Sequence, residues 1–217
     1  MKFLIFFLLS LSLTASAQQY KFDYMLKSEN IREDSKYNST SFDMINSKDH
    51  TYYMEVGQNS ITGKYYSILF DYDKKEFYRF DINNRKIISP SPLLFTFKSI
   101  TSPIDVQFIY YNDLQIEKIG KYRYKIIGNK SKKRKKKNEL EITLELEPHT
   151  HDLLIFDFEP LTTKQQQEIL VLLKNTLKSE NGSGHFFIKE ITFHYFKDSL
   201  FKKKITPVKI DVNLNIE

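Results

Sequence analysis

Two histidines and an aspartate form the one compact group of potential metal ligands in the sequence. His149, His151 and Asp152 lie in a single short run. In an extended strand, residues two apart share a face, so both imidazoles could reach one ion with Asp152 nearby. Pro148 interrupts the register that would bring Glu147 into the same set. The run therefore has two interpretations: a metal site, or a turn between two strands.

Other catalytic chemistry has little support in the sequence. Ser183 stands in a Gly-Ser-Gly-His run, but the predicted helix precedes this run, whereas a serine nucleophile elbow requires the helix to follow. The chain has no cysteine, which excludes a thiolate nucleophile, disulfides and cysteine-based metal sites. With only 6 glycines it contains no glycine-rich phosphate loop. The sequence therefore predicts no cofactor, and an enzyme is the less favoured interpretation.

A basic run is the most unusual charged feature. The formal net charge of +6 includes Lys2 and seven residues of this run, so the remaining chain carries −2. The run is a candidate contact for an anionic partner, such as lipid head groups, a glycan or an acidic protein. The alternative is a solvated hairpin tip. No specific nucleic acid partner is expected. The seven residues are Lys130, Lys132, Lys133, Arg134, Lys135, Lys136 and Lys137.

Residues 1–17 have the composition of a cleavable secretory signal peptide. Lys2 supplies positive charge, an apolar stretch follows, and Ala15-Ser16-Ala17 places small residues before Gln18. The apolar stretch is shorter than the roughly 20 residues that span a bilayer. We therefore expect an exported protein, periplasmic or secreted, with no transmembrane span in the mature chain. Because there is no cysteine at the cleavage site, a lipid anchor there is excluded.

Alternation of apolar and polar residues predicts antiparallel strands through most of the mature chain. The pattern is clearest in 139–147 and returns in 208–216. Tyr20, Phe22, Tyr24 and Leu26 are expected to share one face of a first strand. Asp73-Lys74-Lys75 is expected to form a tight hairpin turn. Further strands are predicted at 51–56, 64–71, 76–81, 93–97, 106–111, 114–119, 122–127 and 153–158.

One amphipathic helix is predicted from Thr163 to Lys178. Thr162 with Gln165, or Thr163 with Gln166, fits the capping box that begins many helices. Ile169, Leu170, Leu173 and Leu177 form an apolar stripe, which Val171 and Leu172 would widen. A wide stripe favours a helix that lies against the concave face of a curved sheet.

Three segments resemble a group of exported Bacteroidota proteins with no known activity. They are 18–27 (QQYKFDYMLK), 46–53 (NSKDHTYY) and 70–75 (FDYDKK). The resemblance covers about the first third of the mature chain. It implies a bacterial envelope or secreted setting and assigns a role to no residue.

Together these features predict one β-rich domain over residues 18–217. We expect a mainly β (α+β) fold: a single curved antiparallel sheet or half-open barrel with one helix on its concave face. The leading functional hypothesis is a non-enzymatic exported protein that binds a protein partner or an apolar ligand. Its 18 Phe and 14 Tyr could line an apolar groove. The alternative is an envelope hydrolase or metal-dependent enzyme that uses His149 and His151.

Overall fold

The computed structural model describes residues 18–32, 38–58, 62–74, 76–82, 95–101, 111–129, 140–158, 161–181, 184–195 and 199–216. The signal peptide, the basic run and residues 106–110 of the strand predicted at 106–111 lie outside these residues; Tyr111 itself is described and precedes β7. One helix, α1 (Thr163–Asn181), is present in the described part of the chain. No helix there is both long and apolar enough to cross a bilayer. The strands are β1 (Gln18–Arg32), β2 (Ser39–Asn46), β3 (Asp49–Gln58), β4 (Tyr65–Asp71), β5 (Glu76–Ile82), β6 (Phe95–Thr101), β7 (Asn112–Gly120), β8 (Arg123–Asn129), β9 (Leu140–Pro148), β10 (Phe186–Tyr195) and β11 (Ser199–Ile216).

All these strands belong to one antiparallel sheet with the order β6-β5-β4-β3-β2-β1-β11-β10-β9-β8-β7. Most strands pair with their neighbour in sequence. The exception lies at the centre, where β1 pairs with β11 from Gln18 opposite Ile216 to Arg32 opposite Phe201. The described strands β6 and β7 are the two outer strands, so the sheet is open.

The distal parts of β1 and β11 form a two-stranded ribbon that extends past their neighbours. β2 pairs with β1 only from Tyr24 to Asn30, and β10 pairs with β11 only from Ser199 to Lys204. The β1–β11 register shifts between Phe22 and Tyr24, an irregularity that bends a strand. Beyond this point the ribbon lies over the sheet. There the Tyr20 hydroxyl donates a hydrogen bond of 2.7 Å to Asp71 at the end of β4.

Two apolar clusters lie on opposite faces of the sheet. The ribbon cluster includes Phe22, Met44 and Met54 and is enclosed between the ribbon and β2–β5. The helix cluster includes Ile45 and Tyr53 and extends over β7–β10, α1 and the segment before the helix. Since Met44 and Ile45 are adjacent, as are Tyr53 and Met54, β2 and β3 contribute alternate residues to the two clusters. These strands are therefore covered on both faces.

The segment 152–158, here called the strap, connects β9 to the turn before α1 without joining the sheet. Leu153, Leu154, Phe156 and Phe158 are buried in the helix cluster. The Phe158 ring packs edge-on against Phe193 of β10, with centroids 4.4 Å apart. The strand predicted at 153–158 is therefore wrong. Because β9 already pairs with β8 and β10, no ladder position is left beside it, and the strap buries its apolar side chains without a ladder.

Helix α1 begins at the predicted cap. The backbone N–H of Gln165 donates to Thr162 Oγ1 at 3.2 Å, as the first capping pair predicts. Ile169, Leu173 and Leu177 are buried in the helix cluster. Val171 and Leu172 are 56% and 39% exposed, so the expectation that they widen the buried stripe is wrong.

The predicted fold class is confirmed: a mainly β chain forms one curved, open antiparallel sheet with one helix packed against it. The predicted hairpin turn between β4 and β5 is also present. The prediction that the four apolar residues of the first strand share one face is wrong. Tyr20 and Phe22 lie in the ribbon cluster, whereas Tyr24 and Leu26 lie in the helix cluster. The register shift falls between these two pairs.

Candidate functional site

A charged cluster lies beneath the strap, on the sheet face that carries the helix cluster. It consists of Asp43 of β2, Glu55 of β3, Lys203 of β11 and Asp157 of the strap. Asp43 and Glu55 are directly opposite each other in the ladder. Carboxylate oxygens of the three acidic residues lie within 4.8 Å of one another. The Lys203 Nζ is 3.8 Å from Asp43 Oδ2 and 3.9 Å from Asp157 Oδ2.

The interior position of this cluster shifts the pKa of Asp43 and the pKa of Lys203. Asp43 is 3% exposed, and only 13% of the Lys203 side chain is exposed. Burial raises the pKa of Asp43 to about 6, opposed by the charge of Lys203 and assisted by that of Asp157. Burial lowers the pKa of Lys203, but the charges of Asp43, Asp157 and Glu55 together raise it above its ordinary value. Lys203 is therefore a stable cation among three carboxyl groups.

A small cleft opens beside the charged cluster. Its volume is about 20 Å³, room for about one water molecule. Burial raises the pKa of Tyr53 well above its usual value and that of Tyr72 to about 12. Both phenols are therefore neutral donors at physiological pH. The residues that line the cleft include His50, Tyr52, Tyr53, Tyr72, Phe156 and Asp157.

The structure places His149 and His151 side by side after β9. Their ring centroids are 5.9 Å apart. The backbone N–H of His151 donates to His149 Nδ1 at 3.1 Å, and His151 Nδ1 lies 3.0 Å from the Tyr24 hydroxyl. Among the described residues, the acidic part of the charged cluster is the one group of three or more such side chains whose ligand atoms gather within 4.8 Å. The metal site at His149, His151 and Asp152 stays a prediction.

Asp152 takes part in a different arrangement, which joins the strap to β3 and α1. Its Oδ2 is 2.9 Å from Lys174 Nζ. Lys174 Nζ also lies 3.2 Å from His50 Nδ1, and His50 Nε2 lies 3.1 Å from the carbonyl oxygen of Asp152. Burial and the charge of Lys174 lower the pKa of His50. With its proton on Nε2, the neutral ring accepts from Lys174 and donates to the strap.

The solvent face of β8–β11, opposite the helix cluster, carries a polar groove. Its volume is about 240 Å³. Arg123 lies opposite Glu145 in the ladder, and Thr143 lies opposite Thr192. The residues that line the groove are Arg123, Thr143, Glu145, Glu190, Thr192 and Lys202.

Most acidic groups on this face are neutralised by lysines. Lys202 pairs with Glu190 at 3.1 Å, and Lys125 pairs with Glu141 at 2.9 Å. Lys189 lies 3.6 Å from Glu145 and 3.2 Å from Glu147. Arg123 and Lys204 make no ion pair with another described residue. Because Lys189 is shared by two glutamates, the charged residues named here leave this face with an excess of one positive charge.

Sequence reasoning did not identify the charged cluster. Its members come from three strands and the strap, and no local motif connects them. One signal was present: Asp43 interrupts the otherwise apolar run Phe42-Asp43-Met44-Ile45. A carboxylate inside a run that is buried on both faces needs a partner in the interior.

Comparisons with known proteins assign no role to these residues. No protein-family model matches the chain, and no curated protein matches it. The resemblance to exported Bacteroidota proteins stays a prediction from the sequence. Functional inference therefore rests on the geometry of the charged cluster, the histidine pair and the polar groove.

Proposed function

We propose that this chain is an exported, non-enzymatic binding protein that holds an acidic protein partner along the β8–β9 hairpin. The observation that carries the proposal is a contrast between two openings. The polar groove measures about 240 Å³, whereas the cleft beneath the strap measures about 20 Å³. A small apolar ligand needs a pocket of roughly 300–1,000 Å³. The contrast favours a partner on the polar face over an apolar ligand beneath the strap.

The charge of the polar face supports an acidic partner. Arg123 makes no ion pair with another described residue, and a guanidinium can bind a carboxylate through two hydrogen bonds. The hydroxyls of Thr143 and Thr192 line the same groove. Lys204 adds a second cation without an ion pair in the described part of the chain. An acidic surface would therefore meet a guanidinium, hydroxyls and surplus positive charge.

The predicted anionic contact at 130–137 extends the same proposal along the hairpin. β8 leads from Arg123 in the groove to Asn129, and the basic run begins at the next residue in sequence. A strand of this length covers roughly 20 Å. A standard interface of about 800 Å² per partner is roughly 30 Å across. One partner is therefore wide enough to contact the groove and the residue where the basic run begins.

Site-specific photocrosslinking in the native host tests the binding face. A photoreactive phenylalanine at Thr192 lies in the groove, and one at Val171 lies on the exposed side of α1 as the control. We expect a discrete protein adduct from position 192 and none from position 171. Charge reversal by Arg123→Glu should reduce the adduct, whereas Lys64→Glu, at an exposed position outside the groove, should leave it unchanged. An adduct from position 171 alone would overturn the proposed face.

The export part of the proposal has a separate test. Fractionation and amino-terminal sequencing of the native protein should give a chain that begins at Gln18 in the periplasm or the medium. Recovery of the chain with Met1 intact in the cytoplasmic fraction would contradict export. That result would leave the crosslinking test of the binding face unaffected.

A further inference from the structure

We infer that the charged cluster beneath the strap is a binding site for one divalent cation that prefers oxygen ligands, with calcium the best match. The proposed ligands are the carboxylates of Asp43, Glu55 and Asp157, together with the hydroxyl of Ser28. This site is independent of the polar groove and of the partner proposed there.

The spacing of the carboxylates suits such an ion. Oxygens from Asp43, Glu55 and Asp157 all lie within 4.8 Å of one another. Calcium binds oxygen at about 2.3–2.6 Å, so two of its ligand oxygens can be separated by up to about 5 Å. The three side chains thus surround a position that one ion can share. A ligand set made only of oxygen favours hard cations over zinc or copper.

The carboxylates of Asp43 and Asp157 are incompletely balanced by Lys203. Together they carry two formal negative charges against the one positive charge of the ammonium, in a largely buried region. The Lys203 Nζ stays 3.8 Å from Asp43 and 3.9 Å from Asp157, beyond the usual hydrogen-bond length of about 3 Å. Buried carboxylates without close partners are unfavourable. One divalent cation would offset the remaining charge and supply closer contacts to Asp43 and Asp157.

Ser28 provides an independent observation. It is 0% exposed, and its hydroxyl has no hydrogen-bond partner among the described residues. It follows Leu26 by two positions on β1, so it shares the face of the helix cluster. In the ladders, Asp43 is opposite Leu26 on one side and Lys203 is opposite Asn30 on the other.

The Ser28 hydroxyl therefore opens into the charged cluster. Ser28 lies on β1 midway between Leu26 and Asn30, so the side chains of Asp43 and Lys203, which come within 3.8 Å of each other from the strands on either side, meet over this part of β1. A buried hydroxyl beside a cluster with excess negative charge has a lone pair to offer a cation. Because Asp157 belongs to the strap and the other ligands to the sheet, the ion would fasten the strap to the sheet.

This site is tested by measuring calcium binding to the purified mature chain, after a chelator has removed any bound metal. Isothermal titration with CaCl₂ should give one ion per chain with a dissociation constant below about 1 mM, the range of extracellular calcium modules. Calcium should also raise the melting temperature. Asp157→Asn should weaken binding by about tenfold or more, because it removes one ligand charge. The matched control, Asp152→Asn on the same strap, should bind as the wild type does.

Ser28→Ala keeps the test decisive if Asp157→Asn fails to fold. Removing a hydroxyl that has no partner should leave the calcium-free protein at least as stable as the wild type. Its calcium affinity should nevertheless fall severalfold. Absence of binding by the wild type to CaCl₂ and MgCl₂, or wild-type affinity in the folded variants, would overturn the inference. Loss of binding in Asp152→Asn alone would also overturn it and would favour the His149–His151 site.

Discussion

Tyr20 and Asp71 meet inside the ribbon cluster, although they come from strands that do not pair with each other. Both are nearly fully buried, at 2% and 5% exposure. Burial, then the hydrogen bond to Asp71, raises the pKa of Tyr20, so the phenol keeps its proton and donates it to the carboxylate. This hydrogen bond adds a polar contact with β4 to the apolar packing of the ribbon cluster.

Tyr20→Phe should lower the free energy of unfolding by about 1–3 kcal/mol, since a buried carboxylate loses a donor. The matched control is Tyr65→Phe. The Tyr65 hydroxyl makes no hydrogen bond with another described residue, so this change should cost less than about 0.5 kcal/mol. Urea unfolding followed by far-ultraviolet circular dichroism measures both. Equal losses in the two variants would contradict the role given to the Tyr20–Asp71 bond.

His50 should make stability depend on pH. Its pKa in the fold is below the ordinary value of 6.5, because of burial and the charge of Lys174. A histidine with a lowered folded pKa contributes full stability above the unfolded pKa, and this is lost as pH falls through that value to the folded pKa. The stability advantage of the wild type over His50→Gln should therefore shrink between about pH 7.5 and pH 5. Urea unfolding across this range measures it, and a constant difference would contradict the assignment.

The sequence identifies interactions between near neighbours but not those between distant residues. Thr162 and Gln165 were predicted as a capping pair because the motif is local, and the structure has that contact. Asp43 and Lys203 could not be paired in advance, since their meeting requires β1 to lie between β2 and β11. Ser28 carries no sequence signal at all, because an unpartnered hydroxyl becomes visible only when its neighbours are known.

Among the elements, strands with alternating burial were predicted, whereas β2 and β10, which bury consecutive residues, were missed. The strand predicted at 139–147 is β9, which alternates buried and exposed residues for most of its length. In β2, by contrast, all four residues from Phe42 to Ile45 are buried. Phe186, Phe187 and Ile188 at the start of β10 are also buried in succession. A strand covered on both faces has no alternation to recognise.

The orientation of α1 against the sheet can be tested with two adjacent leucines. Leu173 is 0% exposed and Leu172 is 39% exposed. Leu173→Ala should lower the free energy of unfolding by about 2–5 kcal/mol, because it leaves a cavity in the helix cluster. Leu172→Ala should cost less than about 1 kcal/mol, since the lost surface is partly in water and alanine favours helix. Chemical denaturation of both variants measures the difference, and a reversed order would mean that the helix is rotated.

At the scale of the whole molecule, the two apolar clusters cannot be separated into independent units. β2 and β3 supply alternate side chains to both, so unfolding either cluster exposes the back of the other. The sequence predicted the fold class from alternation and one amphipathic helix. It could not predict the strand order, because the pairing of β1 with β11 depends on contacts across almost the entire chain.

Unfolding should therefore occur in one cooperative transition. Phe22→Ala in the ribbon cluster and Leu173→Ala in the helix cluster should each shift the same urea midpoint without changing the dependence on urea concentration. Tyrosine fluorescence and circular dichroism should give coincident curves. A second transition in either variant would show that the clusters unfold separately.

The central pairing of β1 with β11 also determines when folding can finish. A chain that leaves a ribosome or a translocation channel amino terminus first releases β1 early and its partner last. Until β11 is free, Tyr20 and Phe22 have no ribbon to complete, and the sheet lacks the strand that joins its two halves. Such long-range pairing makes folding slow. Completion of the sheet is thus delayed until β11 has emerged, and until then β1 has only β2 as a partner among the described strands.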